Sequence, residues 1–92
     1  MSSIKQHVLI RHTKKTGKIN KVIDGLGTGM LRLWALQNTR KHERTIIFEY
    51  DTGKIIHEFI GQETSMCKTS QPEHAYVCND LLHAIHQDIK PR

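Results

Sequence analysis

Seven histidines and two cysteines in 92 residues are the side chains best suited to metal or nucleophilic chemistry. Cys67, His74, Cys78, His83 and His86 follow one another in the last third of the chain. On a helix of 3.6 residues per turn, Cys78 and His83 point to nearly opposite faces, and His86 lies about 12 Å along the axis from Cys78. Only His74, Cys78 and Cys67 could approach one ion, and a structural site of the usual four donors lacks its fourth. No metal is expected. Nucleophilic catalysis has no better ground, because Cys67 lies in a polar stretch with no base at a fixed spacing. Asp80 and Asp88 stand eight residues apart on one predicted helix, too far to share acid–base work. No catalytic set emerges, and a non-enzymatic chain is expected.

The basic side chains are more informative. The formal charge is +5, but it is unevenly placed. Residues 1–44 carry ten bases and two acids, a charge of +8, and residues 45–92 carry four bases and seven acids, a charge of −3. Lys14, Lys15, Lys18 and Lys21 cluster on a predicted hairpin, while Arg40, Lys41 and Arg44 end a predicted helix and open the next strand. Such a group can neutralise phosphates, making nucleic acid a candidate partner. Phe48 and Tyr50 stand at the F-x-Y spacing of base-stacking strands, although Ile46 on the same face argues that they are core.

A third feature is Val22-Ile23-Asp24-Gly25-Leu26-Gly27-Thr28-Gly29-Met30. A strand, a glycine-rich turn and a helix start let backbone N–H groups approach an anion, so Gly25, Gly27, Thr28 and Gly29 form a candidate anion site. This segment resembles the first motif of nucleoside-cofactor methyltransferases, over nine residues of the 92. The spacing from Asp24 to the glycines is one residue shorter than that family's pattern. The upstream strand also belongs to a hairpin, and the chain is too short for the rest of such a domain. No cofactor is expected.

Elements that must position these residues can be read from periodicity. His7–His12 and Lys18–Asp24 read as strands joined by Thr13-Lys14-Lys15-Thr16-Gly17. Thr28 is a candidate N-cap, and Met30 to about His42 reads as a helix with an apolar arc about 200° wide and Trp34 near its centre. Thr45–Tyr50 alternates, Asp51-Thr52-Gly53 turns, and Lys54–Ile60 returns with Ile55 and Phe59 expected on one face. Residues 61–71 read as a polar loop. A last helix is expected from Pro72, with Ala75, Cys78, Leu81, Leu82, Ile85 and Ile89 as its apolar stripe.

Shifting the sequence by 36 residues aligns Thr16-Gly17-Lys18-Ile19 with Thr52-Gly53-Lys54-Ile55, together with Gly25 and Gly61, Thr28 and Thr64, and Met30 and Met66. A duplicated ββα unit, residues 7–43 and 44–90, would explain the match, and so would the turn chemistry that favours T-G-K in hairpins. The expected architecture is one α+β domain over residues 1–92. It has a mostly antiparallel four-stranded sheet in ββα-ββα order, both helices lying on one face.

The uncovered face would then show Val22, Ile47, Ile56 and Ile60. With the wide apolar arc of the first helix, it makes protein–protein contact and self-association, as a homo-oligomer or with a protein partner, the leading expectation for function. Nucleic-acid binding by the basic residues is the alternative. The longest apolar run is Leu33-Trp34-Ala35-Leu36, so no membrane span is expected. Two cysteines make no disulfide framework, and the N-terminus shows no signal-peptide pattern, so a cytoplasmic setting with reduced thiols is expected.

Overall fold

Apolar runs on two neighbouring strands decide the architecture. Val8-Leu9-Ile10 on β1 (His7–Thr13) and Ile46-Ile47-Phe48 on β3 (Glu43–Glu49) are buried without a break. Successive strand residues point to opposite faces, so such a run needs cover on both sides. In the computed structural model, which describes residues 6–63 and 67–88, one helix covers each face. Helix α1 (Thr28–Asn38) packs Leu31 and Ala35 against Leu9, Ile47 and Phe59. Helix α2 (Asn79–Asp88) and the segment before it bring Ile85 and Val77 to Val8, Ile10, Ile46 and Phe48. The expectation of both helices on one face is therefore overturned.

The sheet is antiparallel and has five strands in the order β2-β1-β3-β4-β5, with β2 at Ile19–Ile23, β4 at Ile55–Ile60 and β5 at Lys68–Ser70. The fold is α+β, as expected, but the order is ββα-βββα. β5 falls inside the expected polar loop. Its three residues are exposed and pair through the backbone with Glu58, Phe59 and Ile60.

The two hairpins repeat closely. The Gly17 N–H donates to the Thr13 carbonyl and the Gly53 N–H to the Glu49 carbonyl, both at 2.8 Å. Both glycines hold positive φ, 71° and 77°. Register breaks occur at Arg11/His12 on β1 and at Ile47/Phe48 on β3, positions 36 apart in sequence. Ile10 pairs with Ile46, also 36 apart, which places a local two-fold axis normal to the sheet between β1 and β3. That axis would put both helices on one face. They lie on opposite faces, and β5 has no counterpart, so the equivalence ends with the hairpins. Residues Thr64 and Met66, part of the aligned pattern, lie outside the described residues.

The break at Ile47/Phe48 also corrects the expected faces of β4. Ile55 pairs with Phe48, and His57 with Ile47, so Ile56 is an extra residue that reverses the alternation. Ile55 joins the α2 side of the core and Phe59 the α1 side. Among the described residues the expected uncovered face breaks up: Ile47 is fully buried and Ile56 packs at the α1 side, while Val22 on β2 is exposed.

The helices differ from expectation at their ends. Gly27, not Thr28, is the N-cap of α1, and no side chain caps it. The helix stops at Asn38, short of His42, because Thr39 turns extended and returns its N–H to the Ala35 carbonyl. Its anchor is Leu31, fully buried, while Trp34 is half-buried under the Arg11 guanidinium at 5.1 Å. Helix α2 starts at Asn79 rather than Pro72. The segment before it is held extended by the Lys54–Tyr76 bridge and by the Val77 N–H on the Gly53 carbonyl. Ala75 and Cys78 thus precede the helix, Cys78 is exposed, and Ile89 lies outside the described residues.

Candidate polyanion-binding end

One end of the sheet gathers the β1–β2 turn, the α1–β3 connection and the C-terminus of β4. Backbone hydrogen bonds hold these three segments together. The Lys14 N–H donates to the His42 carbonyl at 2.9 Å, the Gly61 N–H to the Glu43 carbonyl at 3.0 Å, and the Glu43 N–H to the Arg40 carbonyl at 2.9 Å. Lys14 Nζ also donates to the Gly61 carbonyl at 2.7 Å. Gly61 allows this closeness, since a Cβ there would collide with the Arg40 carbonyl group.

These contacts bring together basic residues from two separate stretches of sequence. Lys14, Lys15, Lys18, Arg40 and Lys41 are exposed at this end. Lys68, at the start of β5, joins them through its pairing with Ile60. Sequence reasoning missed Lys68 because it lies in a stretch without alternation. Lys21 is exposed farther along the edge strand β2, opposite Arg11.

Arg44 is differently placed. Its Nε donates to Glu58 Oε2 at 2.6 Å, its guanidinium forms an ion pair with the same carboxylate, and a second nitrogen lies 3.3 Å from His12 Nε2. Arg11 likewise pairs with Glu43 at 3.1 Å, donates to Asn20 at 2.7 Å and reaches the Asn38 carbonyl at the end of α1 at 2.9 Å. Those two arginines are committed to the fold, and Glu43 and Glu58 are committed with them, whereas Glu63, just beyond Gly61, is exposed. Burial raises the Glu58 pKa, but the Arg44 and Ser70 hydrogen bonds and the nearby positive charge outweigh it, and the carboxyl titrates below its ordinary range. Glu58 therefore stays ionised and keeps Arg44 engaged.

The other candidates separate in space. Gly25 holds positive φ at 81°, which suits a turn leaving β2. A Cβ on Gly27 or Gly29 would meet open space, so neither glycine is needed for a close approach. The Thr28 hydroxyl lies 3.4 Å from His7 Nδ1. Phe48 and Tyr50 are buried on the α2 face, where the Tyr50 and His86 rings stand 4.2 Å apart, so they are not a base-stacking surface. Among the described residues, no three histidine, cysteine or acidic side chains group closely enough to hold a metal ion. Cys67 is buried in the α1 core rather than lying in a polar loop, and burial pushes its thiol pKa up.

One apolar strip stays uncovered. Met30 and Leu33 are exposed at i and i+3 on the outer face of α1, and Leu26 is exposed just before its N-cap, with Met30 57% accessible. Among the described residues, no helix is long and apolar enough to cross a membrane.

No protein-family model, curated protein or solved structure matches this chain.

Proposed function

We propose that this chain is a small non-enzymatic binding domain whose basic end takes a polyanion, and that nucleic acid is the partner class its charge fits. The observation that carries this reading is the Lys14–His42 backbone bond, which joins the lysine-rich turn to the Arg40–Lys41 connection. Exposed cations fixed on short, hydrogen-bonded connections lose little backbone freedom on meeting phosphates, and release of the phosphates' counterions supplies the affinity. With Phe48 and Tyr50 buried, binding is to the phosphate backbone and does not read bases. Two unpaired thiols, Cys67 and Cys78, suit a reducing, cytoplasmic setting.

Fluorescence titration with labelled duplex and single-stranded DNA and RNA at two salt concentrations tests the reading. Salt-sensitive binding with a Kd of about 1–100 μM near physiological salt is expected. No salt-sensitive binding in that range overturns it.

A second reading is self-association, favoured by the exposed strip Leu26, Met30 and Leu33. The covered sheet face removes one ground for it, and the strip on α1 retains the other. Sedimentation of the wild-type chain at about 100 μM should then show a dimer that Leu33→Lys converts to monomer. A strict monomer at that concentration ends this reading.

A further inference from the structure

A groove along the β4–β5 edge of the sheet has donors of its own, and none of the lysines of the basic end lines it. It opens where β5 stops pairing with β4, and it has two adjacent chambers that are both lined by His57 and Gln71. The chamber of about 300 Å³ against α1 is lined by Arg32, His57, Phe59, Thr69, Ser70 and Gln71, none of them acidic. The wider one, about 600 Å³, runs between Lys54–His57 and the segment Gln71–His74.

Three observations bear on its use. Arg32 is exposed on α1 and shares the small chamber with His57, the side chain at the shared wall. Burial, then the positive charges of Arg32 and His7, hold the His57 pKa below its ordinary value, so His57 faces the chamber as a neutral ring able to donate one N–H, and no acid lines the chamber. At the far end, His74 holds a left-handed backbone (φ 57°), as no other described non-glycine residue does. Such backbone costs energy and concentrates at binding sites. The Ser70 hydroxyl is donated to Glu58, which leaves Arg32, His57, Thr69 and Gln71 as the donors available.

We propose that this groove is a binding site for a small molecule carrying an oxyanion, phosphate or carboxylate, with the oxyanion held between Arg32 and His57 and the body of the ligand lying over Ile56 and Pro72. The guanidinium offers a planar fork that matches either oxyanion, and Thr69 and Gln71 can donate to its remaining oxygens. Phe59 forms an apolar wall of the small chamber. Glu73 is the one acid along the wider chamber, where His74 and Lys54 also stand, and its placement keeps the anionic end of a ligand at Arg32.

The test is an NMR titration of the full-length chain that follows the His57 imidazole resonances. Sodium phosphate, sodium acetate and sodium chloride are added at matched ionic strength. Saturable shifts with phosphate identify a phosphoryl ligand, saturable shifts with acetate identify a carboxylate ligand, and either supports the site. Arg32→Gln should weaken the response about tenfold, as loss of a charge-assisted pair does. Lys15→Gln/Lys18→Gln should leave it unchanged, which separates this site from the polyanion-binding end. The proposal is overturned if neither anion differs from chloride, if Arg32→Gln responds as wild type does, or if the lysine variant loses the response.

Discussion

The main-chain N–H of Lys14 donates to the carbonyl of His42 across 2.9 Å, so the tip of the first hairpin and the connection after α1 form one surface. Ten of the fourteen lysines and arginines lie in residues 1–44, and this bond is what turns a sequence bias into a local patch. The same surface rests on Gly61, whose amide donates to the Glu43 carbonyl.

Gly61→Ala tests that support. The added Cβ would meet the Arg40 carbonyl and crowd Lys41 Cα at 3.0 Å, so the connection carrying both cations must move. A loss of about 1–3 kcal/mol is expected from overpacking, together with weaker polyanion binding. Urea denaturation reads the first effect and the fluorescence titration the second. Unchanged stability would show that the Arg40–Lys41 backbone yields freely.

The repeated turns should respond unequally to one substitution. Gly17 and Gly53 have matching positive φ, but a Cβ on Gly17 meets open space, whereas one on Gly53 stands 3.1 Å from Leu82 Cδ2. Gly17→Ala should cost about 1–2 kcal/mol, from the left-handed backbone alone. Gly53→Ala should cost roughly 1 kcal/mol more, because it also disturbs the packing of α2. Equal losses in urea denaturation would remove the assigned Gly53–Leu82 contact.

Glu58 links stability to pH. Its carboxyl titrates below the ordinary glutamate range in the folded chain, so its contribution is present above the unfolded-state pKa and is lost as pH falls through the folded-state one. Glu58→Gln should therefore cost about 1 kcal/mol at pH 7, as a partly exposed pair does. The difference from wild type should shrink as pH falls through the folded-state pKa and Glu58 becomes protonated. Releasing Arg44 also adds a cation near the basic end, so the variant should bind polyanions more tightly. A stability difference that stays constant as pH is lowered until the carboxyls are fully protonated would contradict the assignment.

Much of the fold was legible in the sequence, and the exceptions have particular causes. Gly17 and Gly53 marked both turns because positive φ selects glycine. The two-sided cover was also visible: Val8-Leu9-Ile10 and Ile46-Ile47-Phe48 are unbroken apolar runs, the pattern of strands buried on both faces. Reading Ile46, Phe48 and Tyr50 as an alternating face overlooked Ile47 between them. β5 had no such signal, since Lys68-Thr69-Ser70 pairs through backbone groups and buries nothing. The start of α2 was displaced because residues 75–77 bond to Gly53, Lys54 and Ile55, a tertiary choice that local propensity does not encode. At the basic end, the sequence offered Lys14, Lys15, Lys18, Lys21, Arg40, Lys41 and Arg44 from two separate stretches, which the Lys14–His42 bond joins. It did not show that Arg44 is engaged by Glu58, a partner fourteen residues away on the adjacent strand. The Arg32–His57 groove escaped notice because its lining comes from α1, β4 and β5, with no shared motif.

The most direct measurement is the salt dependence of binding to a labelled single-stranded oligonucleotide. It compares wild type with a variant in which Lys15, Lys18, Arg40 and Lys41 are all replaced by glutamine. If these four cations contact phosphates, log K against log salt should fall with a slope of about −3 for wild type, and the variant should lose nearly all of that slope. A wild-type chain that binds with no salt dependence, or a variant with the same slope and affinity as wild type, would contradict a polyanion-binding role for this end of the molecule.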